Sequence, residues 1–144
     1  MEREEPLRHR NLESLKEGQL VAIVPQGISM LPFIRGGEDC VYLLKREKIE
    51  VGDIVLAVYQ GRHLLHRVYA IEGERITLMG DGNIEGKELV TKEDVLGTAV
   101  DIVTHNGRHH KPKKARLWRK LLPLRKYLLK LHRKWNKAKK TFIK

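Results

Sequence analysis

Short runs of apolar residues, separated by turn signals that contain glycine, dominate most of the chain. The runs span residues 20–24, 40–44, 53–59, 63–71, 75–79 and 95–103. Short strands at regular spacing with such turns are typical of antiparallel sheets and barrels. No helical periodicity of apolar residues occurs in this region. The pattern therefore predicts a mainly β fold, with a compact antiparallel barrel-like sheet.

Residues 111–144 follow a different pattern. Apolar residues recur there in alternating steps of four and three, which places them on one stripe of a helix, with Lys and Arg over most of the remaining surface. The stripe consists of Leu117, Leu121, Leu124, Leu128, Leu131, Trp135, Ala138 and Phe142. Because proline interrupts helical hydrogen bonding, Pro123 predicts a kink or break near Leu122. The fold class thus includes a basic amphipathic C-terminal helix.

These patterns divide the 144 residues into three segments around one modest core. They are a polar segment at 1–18, a β-domain at 19–106 and a helical tail at 107–144. Residues 1–10 are polar and are expected to fray. A short helix is expected at 11–16, with Asn11 as its N-cap and Gly18 as its stop. Pro112 marks the expected linker to the tail.

Charge is distributed unevenly between these segments. Of the 29 Lys and Arg residues, 15 lie in residues 111–144, which contain no Asp or Glu, so the rest of the chain holds 14 basic residues and all 18 acidic ones. A strongly basic tail on a mildly acidic domain suggests an anionic partner for the tail. An anionic membrane surface, a partner protein and simple packing onto the domain all remain open. Nucleic acid is disfavoured because no recognised reader motif is present.

Neither a membrane span nor a secretory signal is expected. No apolar run approaches the length that a transmembrane helix needs, and the charged N-terminal residues lack an apolar signal region. A cytoplasmic location is therefore expected, with peripheral attachment to the inner membrane face as an option. The single cysteine, Cys40, excludes an intrachain disulfide and a zinc cluster, and its apolar surroundings favour a core position. No cofactor and no metal are expected.

A serine in a turn is the first candidate for chemistry. Ser29 follows Gly27 and Ile28 at the end of an apolar run, and Pro32 restricts the exit of the turn. Such a turn exposes a hydroxyl and leaves backbone N–H groups available to an oxyanion. By itself, a serine in a glycine- and proline-containing loop is most often only a turn residue.

Two further residues complete a candidate site. His66 lies within the strand at 63–71, and a neutral imidazole suits a base that must take a proton from serine near neutral pH. His63 competes for this role, although it lies on the opposite face of a regular strand. Asp81 lies in the turn at 80–83, where it either serves the turn conformation or accepts a hydrogen bond from the imidazole of His66.

Four short motifs together resemble the type I signal peptidase family. They are Ser-Met-Leu-Pro at 29–32, Gly-Asp-Ile-Val at 52–55, His-Arg-Val at 66–68 and Gly-Asp-Gly-Asn at 80–83. They occur in the family's order, and the resemblance covers residues 20–103. The family's bacterial housekeeping branch has Lys where this chain has His66. The chain therefore resembles the archaeal, endoplasmic-reticulum and sporulation branch, which uses histidine.

The resemblance implies roles for individual residues. Ser29 would attack the scissile carbonyl, and its N–H would contribute to the oxyanion hole. His66 would act as general base, Asp81 would orient it, and the Gly-Asp motif would form a structural turn. The branch also has a second acid, which by counting falls near Lys87; Glu85 or Glu88 substitutes for it, or the acid is missing.

Three functions follow as hypotheses. The first is a serine endopeptidase that resembles signal peptidase and cleaves leader or signal-type peptides in a peptide or protein substrate. The second is a catalytically impaired peptidase-like fold that binds peptides or acts as a scaffold. The third is a relative of the self-cleaving repressors, which share this fold. Those proteins pair serine with lysine and carry an N-terminal DNA-binding domain, and the 28 residues that precede Ser29 are too few for one.

Overall fold

Eight strands form one antiparallel sheet in the computed structural model, which describes the backbone of residues 12–143 and the side chains of residues 12–135. The strands are β1 Val21–Ile23, β2 Cys40–Leu44, β3 Ile54–Tyr59, β4 Arg62–Glu72, β5 Arg75–Met79, β6 Lys87–Thr91, β7 Val95–Val103 and β8 His109–His110. Their order is β1-β2-β7-β3-β4-β5-β6, with β8 paired to β7. A helix at 12–16 (α1) precedes the sheet. The expectations for residues 1–11, including the Asn11 cap and the fraying, lie outside the described residues.

The predicted mainly β fold is confirmed, and every predicted strand is present. The sheet curls into half a barrel, and β1 and β6 form the two ends of the strand order. Two strands were not predicted. β8 lies in the expected linker region, and β6 lies between the turn at 80–83 and β7. Strand β6 contributes to the candidate site described below.

Both faces of the curled sheet are covered, and β3 shows this most clearly. Ile54 and Leu56 belong to one buried apolar cluster, whereas Val55 and Ala57 belong to another. Successive side chains of a strand point to opposite faces, so a strand buried on both faces is a continuous apolar run rather than an alternating one. The fully buried side chain of Leu15, on α1, packs into the first cluster.

The tail consists of two helices separated by a short 3-10 turn. Helix α2 spans Arg116–Lys120, the turn spans Leu122–Leu124, and helix α3 spans Arg125–Ile143. The break predicted at Pro123 is therefore present, because this residue lies inside the turn. Among the described residues, no helix is both long enough and apolar enough to cross a bilayer.

The predicted apolar stripe is not the face by which the tail packs on the sheet. Leu129 is buried, and the Arg125 side chain is fully buried although the sequence pattern placed it among solvated basic residues. Several stripe residues are exposed instead, namely Leu117, Leu124, Leu131 and Trp135. The side chains of Ala138 and Phe142 lie outside the described residues.

Candidate active site

The turn that carries Ser29 packs against the turn at residues 80–83. The Gly82 N–H donates to the Ser29 carbonyl oxygen at 2.7 Å, and the Asp81 N–H lies 3.5 Å from the Met30 sulfur. Met30 is buried and anchors the turn in the core, whereas Ser29 is half-buried and Ile28 is exposed. The peptide bond between Leu31 and Pro32 is cis. Two motifs that are 51 residues apart in the sequence are thus held in contact by backbone hydrogen bonding.

Gly80 brings the Ser29 turn and His66 to one place. A Cβ atom on Gly80 would lie 2.4 Å from the Ser29 carbonyl oxygen and 3.1 Å from Nε2 of His66. It would also lie 2.8 Å from the side-chain nitrogen of Asn83. Because the Ser29 carbonyl oxygen and Nε2 of His66 both approach this point, the backbone of the Ser29 turn and the imidazole are neighbours. The absence of a side chain at residue 80 makes that approach possible.

Glu88 on β6 holds the other side of the imidazole. Nδ1 of His66 and Oε1 of Glu88 are 2.6 Å apart, and the two side chains are only 9% and 13% exposed. A carboxylate oxygen only accepts hydrogen bonds, so Nδ1 carries the hydrogen. In the neutral imidazole the lone pair is then on Nε2, which is the nitrogen that faces Gly80 and Ser29.

The strand register explains how side chains two strands apart meet. Met79 on β5 pairs with Arg67 on one side and with Lys87 on the other. The next residue, Gly80, has no side chain to separate the neighbouring strands. His66 therefore reaches Glu88 across β5. This contact depends on β6, the strand that the apolar pattern did not predict.

The carboxylate of Asp81, the residue predicted to shape the turn or to orient His66, binds Arg67. Nε of Arg67 donates to Oδ1 of Asp81 at 2.8 Å, and Nη2 donates to Oδ2 at 2.8 Å. Both residues are fully buried. An isolated buried charge is costly, and a forked guanidinium–carboxylate pair compensates for much of that cost. Asp81 thus ties the turn at 80–83 to β4, and Glu88 takes the position beside His66.

Arg67 also connects the Gly-Asp-Ile-Val motif at 52–55 to the start of the tail. Its Nη1 donates to the carbonyl oxygens of Gly52 at 2.7 Å and of Lys113 at 2.5 Å. The guanidinium lies 5.2 Å from the centre of the Phe33 ring, within the range of cation–π attraction. The Gly-Asp motif therefore has the structural role expected of it.

Lys114 forms a second connection between the Gly-Asp turn and the tail. Its ammonium donates to Glu50 at 2.7 Å and to Asp53 at 2.9 Å. Partial burial disfavours its charge, but these carboxylates outweigh that effect and raise the pKa of Lys114. The hydrogen bond from Lys114 in turn lowers the pKa of Glu50.

Arg125, at the start of α3, lies beneath the turn at 80–83. Its Nη1 donates to the carbonyl oxygen of Asn83 at 3.2 Å and lies 3.5 Å from that of Gly80. Its Nη2 donates to the Tyr69 hydroxyl, where burial nevertheless raises the pKa of the phenol. The Trp118 indole donates to the Asp81 carbonyl oxygen at 2.9 Å. The tail is thus part of the support of the candidate site.

The other candidate residues lie elsewhere or have other surroundings. His63 is half-buried near the β3–β4 hairpin turn, where it pairs with Val58. Glu85 is exposed, whereas Glu88 is largely buried. Cys40 is half-buried at the start of β2, and burial raises the pKa of its thiol. Within the described part of the chain, neither the N–H nor the hydroxyl of Ser29 donates a hydrogen bond.

No protein-family model matches the chain, and no curated protein is significantly similar to it. Among the described residues, no group of three or more His, Cys, Asp or Glu side chains is arranged to hold a metal ion.

Proposed function

We propose that this protein is a serine endopeptidase of the signal-peptidase type, which cleaves leader or signal-type peptides by a Ser–His mechanism. The observation that carries the proposal is the 2.6 Å contact between Nδ1 of His66 and Glu88, because it turns Nε2 toward the Ser29 turn. A nucleophile, a base and a group that orients the base are the three parts that such chemistry needs.

In the proposed mechanism, Ser29 is the nucleophile. Its Oγ attacks the scissile carbonyl carbon while Nε2 of His66 takes the hydroxyl proton. Glu88 stabilises the imidazolium that forms and keeps the ring in place. The Ser29 N–H donates to the developing oxyanion. His66 then gives its proton to the leaving amine as the C–N bond breaks. Water next attacks the acyl-enzyme while Nε2 of His66 takes a water proton, and His66 returns that proton to Ser29 Oγ as the ester bond breaks and the acid product leaves.

The meeting of all four motifs at one place supports the signal-peptidase resemblance. Hydrogen bonds join the Ser29 turn to the turn at 80–83, and Arg67 joins that turn to Gly52. A curled antiparallel sheet is also what the peptidase fold requires. Motifs that resembled the family only by chance would have no reason to be in mutual contact.

The alternative, a peptidase-like fold without activity, requires that no acid replaces the one missing at Lys87. Glu88 lies one residue away, and its carboxylate contacts the imidazole directly. The geometry therefore favours the enzyme over the binding module. The self-cleaving repressor hypothesis has no contact in its favour, because histidine, not lysine, approaches the Ser29 turn.

The test is cleavage of a mixture of synthetic peptides of diverse sequence, with the products identified by mass spectrometry. The chain contains only two serines, Ser14 and Ser29, so Ser14→Ala is a matched control for Ser29→Ala. We expect wild type and Ser14→Ala to cleave a common set of peptides. Ser29→Ala and His66→Ala should each reduce cleavage by about 10³-fold or more.

Any of three results would contradict the proposal. Products that persist unchanged in Ser29→Ala would show that another group, or a contaminant, cuts the peptides. A complete lack of products that depend on Ser29 would favour the peptide-binding module, and cleavage of the chain itself upstream of Ser29 would favour the repressor relative.

A further inference from the structure

An exposed apolar row runs along the tail on the side that does not contact the sheet. Leu117, Leu124 and Leu131 are 70%, 54% and 66% exposed, and Trp135 is 64% exposed. Leu131 and Trp135 are four residues apart and share one helical face of α3, and Leu124 ends the 3-10 turn directly before that helix. Leu117 lies on the separate helix α2. Leu129 and Arg125, which pack against the β-domain, lie on another face of α3. The domain therefore leaves this row in contact with water, where large apolar side chains are unfavourable.

Two lysines, Lys130 and Lys134, border the row on one side, and no acidic residue of the tail opposes them. Lys126, Lys130, Arg133 and Lys134 are all exposed, and residues 111–144 contain no Asp or Glu. At 100° per residue, Lys130 and Lys134 lie next to Leu131 along one side of the row. The surface thus combines exposed leucine and tryptophan with positive charge along one edge.

We propose that this face of the tail binds in the interface of an anionic lipid bilayer. Leu124, Leu131 and Trp135 would enter the boundary between headgroups and acyl chains. The lysines would extend toward the lipid phosphates, because their flexible stems can lie along apolar surface while the ammonium stays among polar groups. An anionic bilayer provides an apolar layer for the leucine and tryptophan side chains and a layer of negative charge for the lysines.

Other anionic partners match only half of this surface. Nucleic acid would engage the lysines through its phosphates but would leave the leucine row in water. An acidic protein would need an apolar groove as well as negative charge, whereas a bilayer presents both over any length of helix. The inference is independent of the proposed catalytic activity, since it uses no residue of the candidate active site.

The test is flotation of the full chain with vesicles of phosphatidylcholine alone and with vesicles that contain about one third phosphatidylglycerol. We expect binding to the anionic vesicles, accompanied by a blue shift of tryptophan emission as Trp135 leaves water. Lys130→Gln with Lys134→Gln should weaken partitioning by roughly fivefold for each lysine removed.

The apolar row is tested by Leu124→Gln with Leu131→Gln, which should weaken partitioning by roughly tenfold or more. Leu20→Gln with Leu89→Gln is the matched control, because those leucines are 56% and 58% exposed on the β-domain. The control should bind as wild type does.

Three results would overturn the inference. One is equal binding to neutral and anionic vesicles, and another is no binding to either. The third is unchanged vesicle binding by the Leu124 and Leu131 variant together with displacement of the vesicles by duplex DNA. That result would indicate a purely electrostatic surface, of the kind that binds nucleic acid without sequence preference.

Discussion

Nδ1 of His66 lies 2.6 Å from Oε1 of Glu88, across β5, the strand between them. This contact fixes which imidazole nitrogen faces the Ser29 turn, so it sets the chemistry that the site can perform. Substitutions can separate the residues that act on the imidazole from the residues that hold the surrounding turns.

Replacement of Glu88 should reduce cleavage in a graded manner. Glu88→Ala removes both the charge and the acceptor, so we expect kcat to fall by about 10²- to 10⁴-fold. Glu88→Gln keeps an oxygen that accepts from Nδ1 but loses the charge, and a smaller loss is expected. The measurement is kcat for the best peptide of the mixture. Glu85→Gln, at the exposed neighbouring acid, should leave it unchanged, and equal losses in Glu85 and Glu88 variants would argue against the assigned contact.

Replacement of Asp81 should act first on stability. Asp81→Ala leaves the buried guanidinium of Arg67 without its carboxylate, so the free energy of unfolding should fall by about 3–5 kcal/mol in denaturant titrations. Replacing both residues by apolar ones, as in Arg67→Met with Asp81→Leu, should restore part of that loss. A stable Asp81→Ala protein without activity would instead assign Asp81 to the chemistry.

Gly80→Ala should disturb the site itself. The added carbon would lie 2.4 Å from the Ser29 carbonyl oxygen, so the Ser29 turn and His66 must move apart and cleavage per folded molecule should fall. Gly97→Ala is the matched control, since its Cβ would lie 2.9 Å from the Leu15 side chain in the core. It should lower the melting temperature without a comparable change in cleavage. Similar activity losses in both variants would show that Gly80 has no special relation to the site.

The tail should prove to be a structural part of the folded β-domain rather than an appendage. Arg125→Met removes hydrogen bonds to the turn at 80–83 and should lower the free energy of unfolding by about 1–3 kcal/mol. Lys126→Met, at the adjacent exposed residue, is the control and should have little effect. Equal unfolding free energies for the two variants would contradict the supporting role of Arg125.

The apolar pattern predicted the strands well because most of them are half-buried or fully buried. It missed β6 because this strand turns a charged side chain toward the interior and a leucine toward solvent. Glu88 and Val90 face inward there, whereas Leu89 is 58% exposed. A strand that points an acid toward the interior carries little hydrophobic signal, and such violations are expected at functional sites.

Buried charges account for the other differences between prediction and structure. Arg67, Asp81 and Arg125 are fully buried, and no pattern of apolar residues distinguishes them from solvated ones. The motifs identified Ser29, His66 and Asp81 as candidate site residues. Only the sheet register, which places β5 between β4 and β6, shows that Glu88 and not Asp81 contacts the imidazole.

The central claim is that Ser29, His66 and Glu88 act as one unit, and a double-mutant comparison tests it most directly. The measurement is kcat/KM for one peptide with Ser29→Ala, Glu88→Ala and the two changes combined. Residues of one catalytic unit are strongly non-additive, so the combined variant should be no slower than Ser29→Ala alone. If the two losses instead multiply, Glu88 acts independently of the serine, and the proposed catalytic arrangement is wrong.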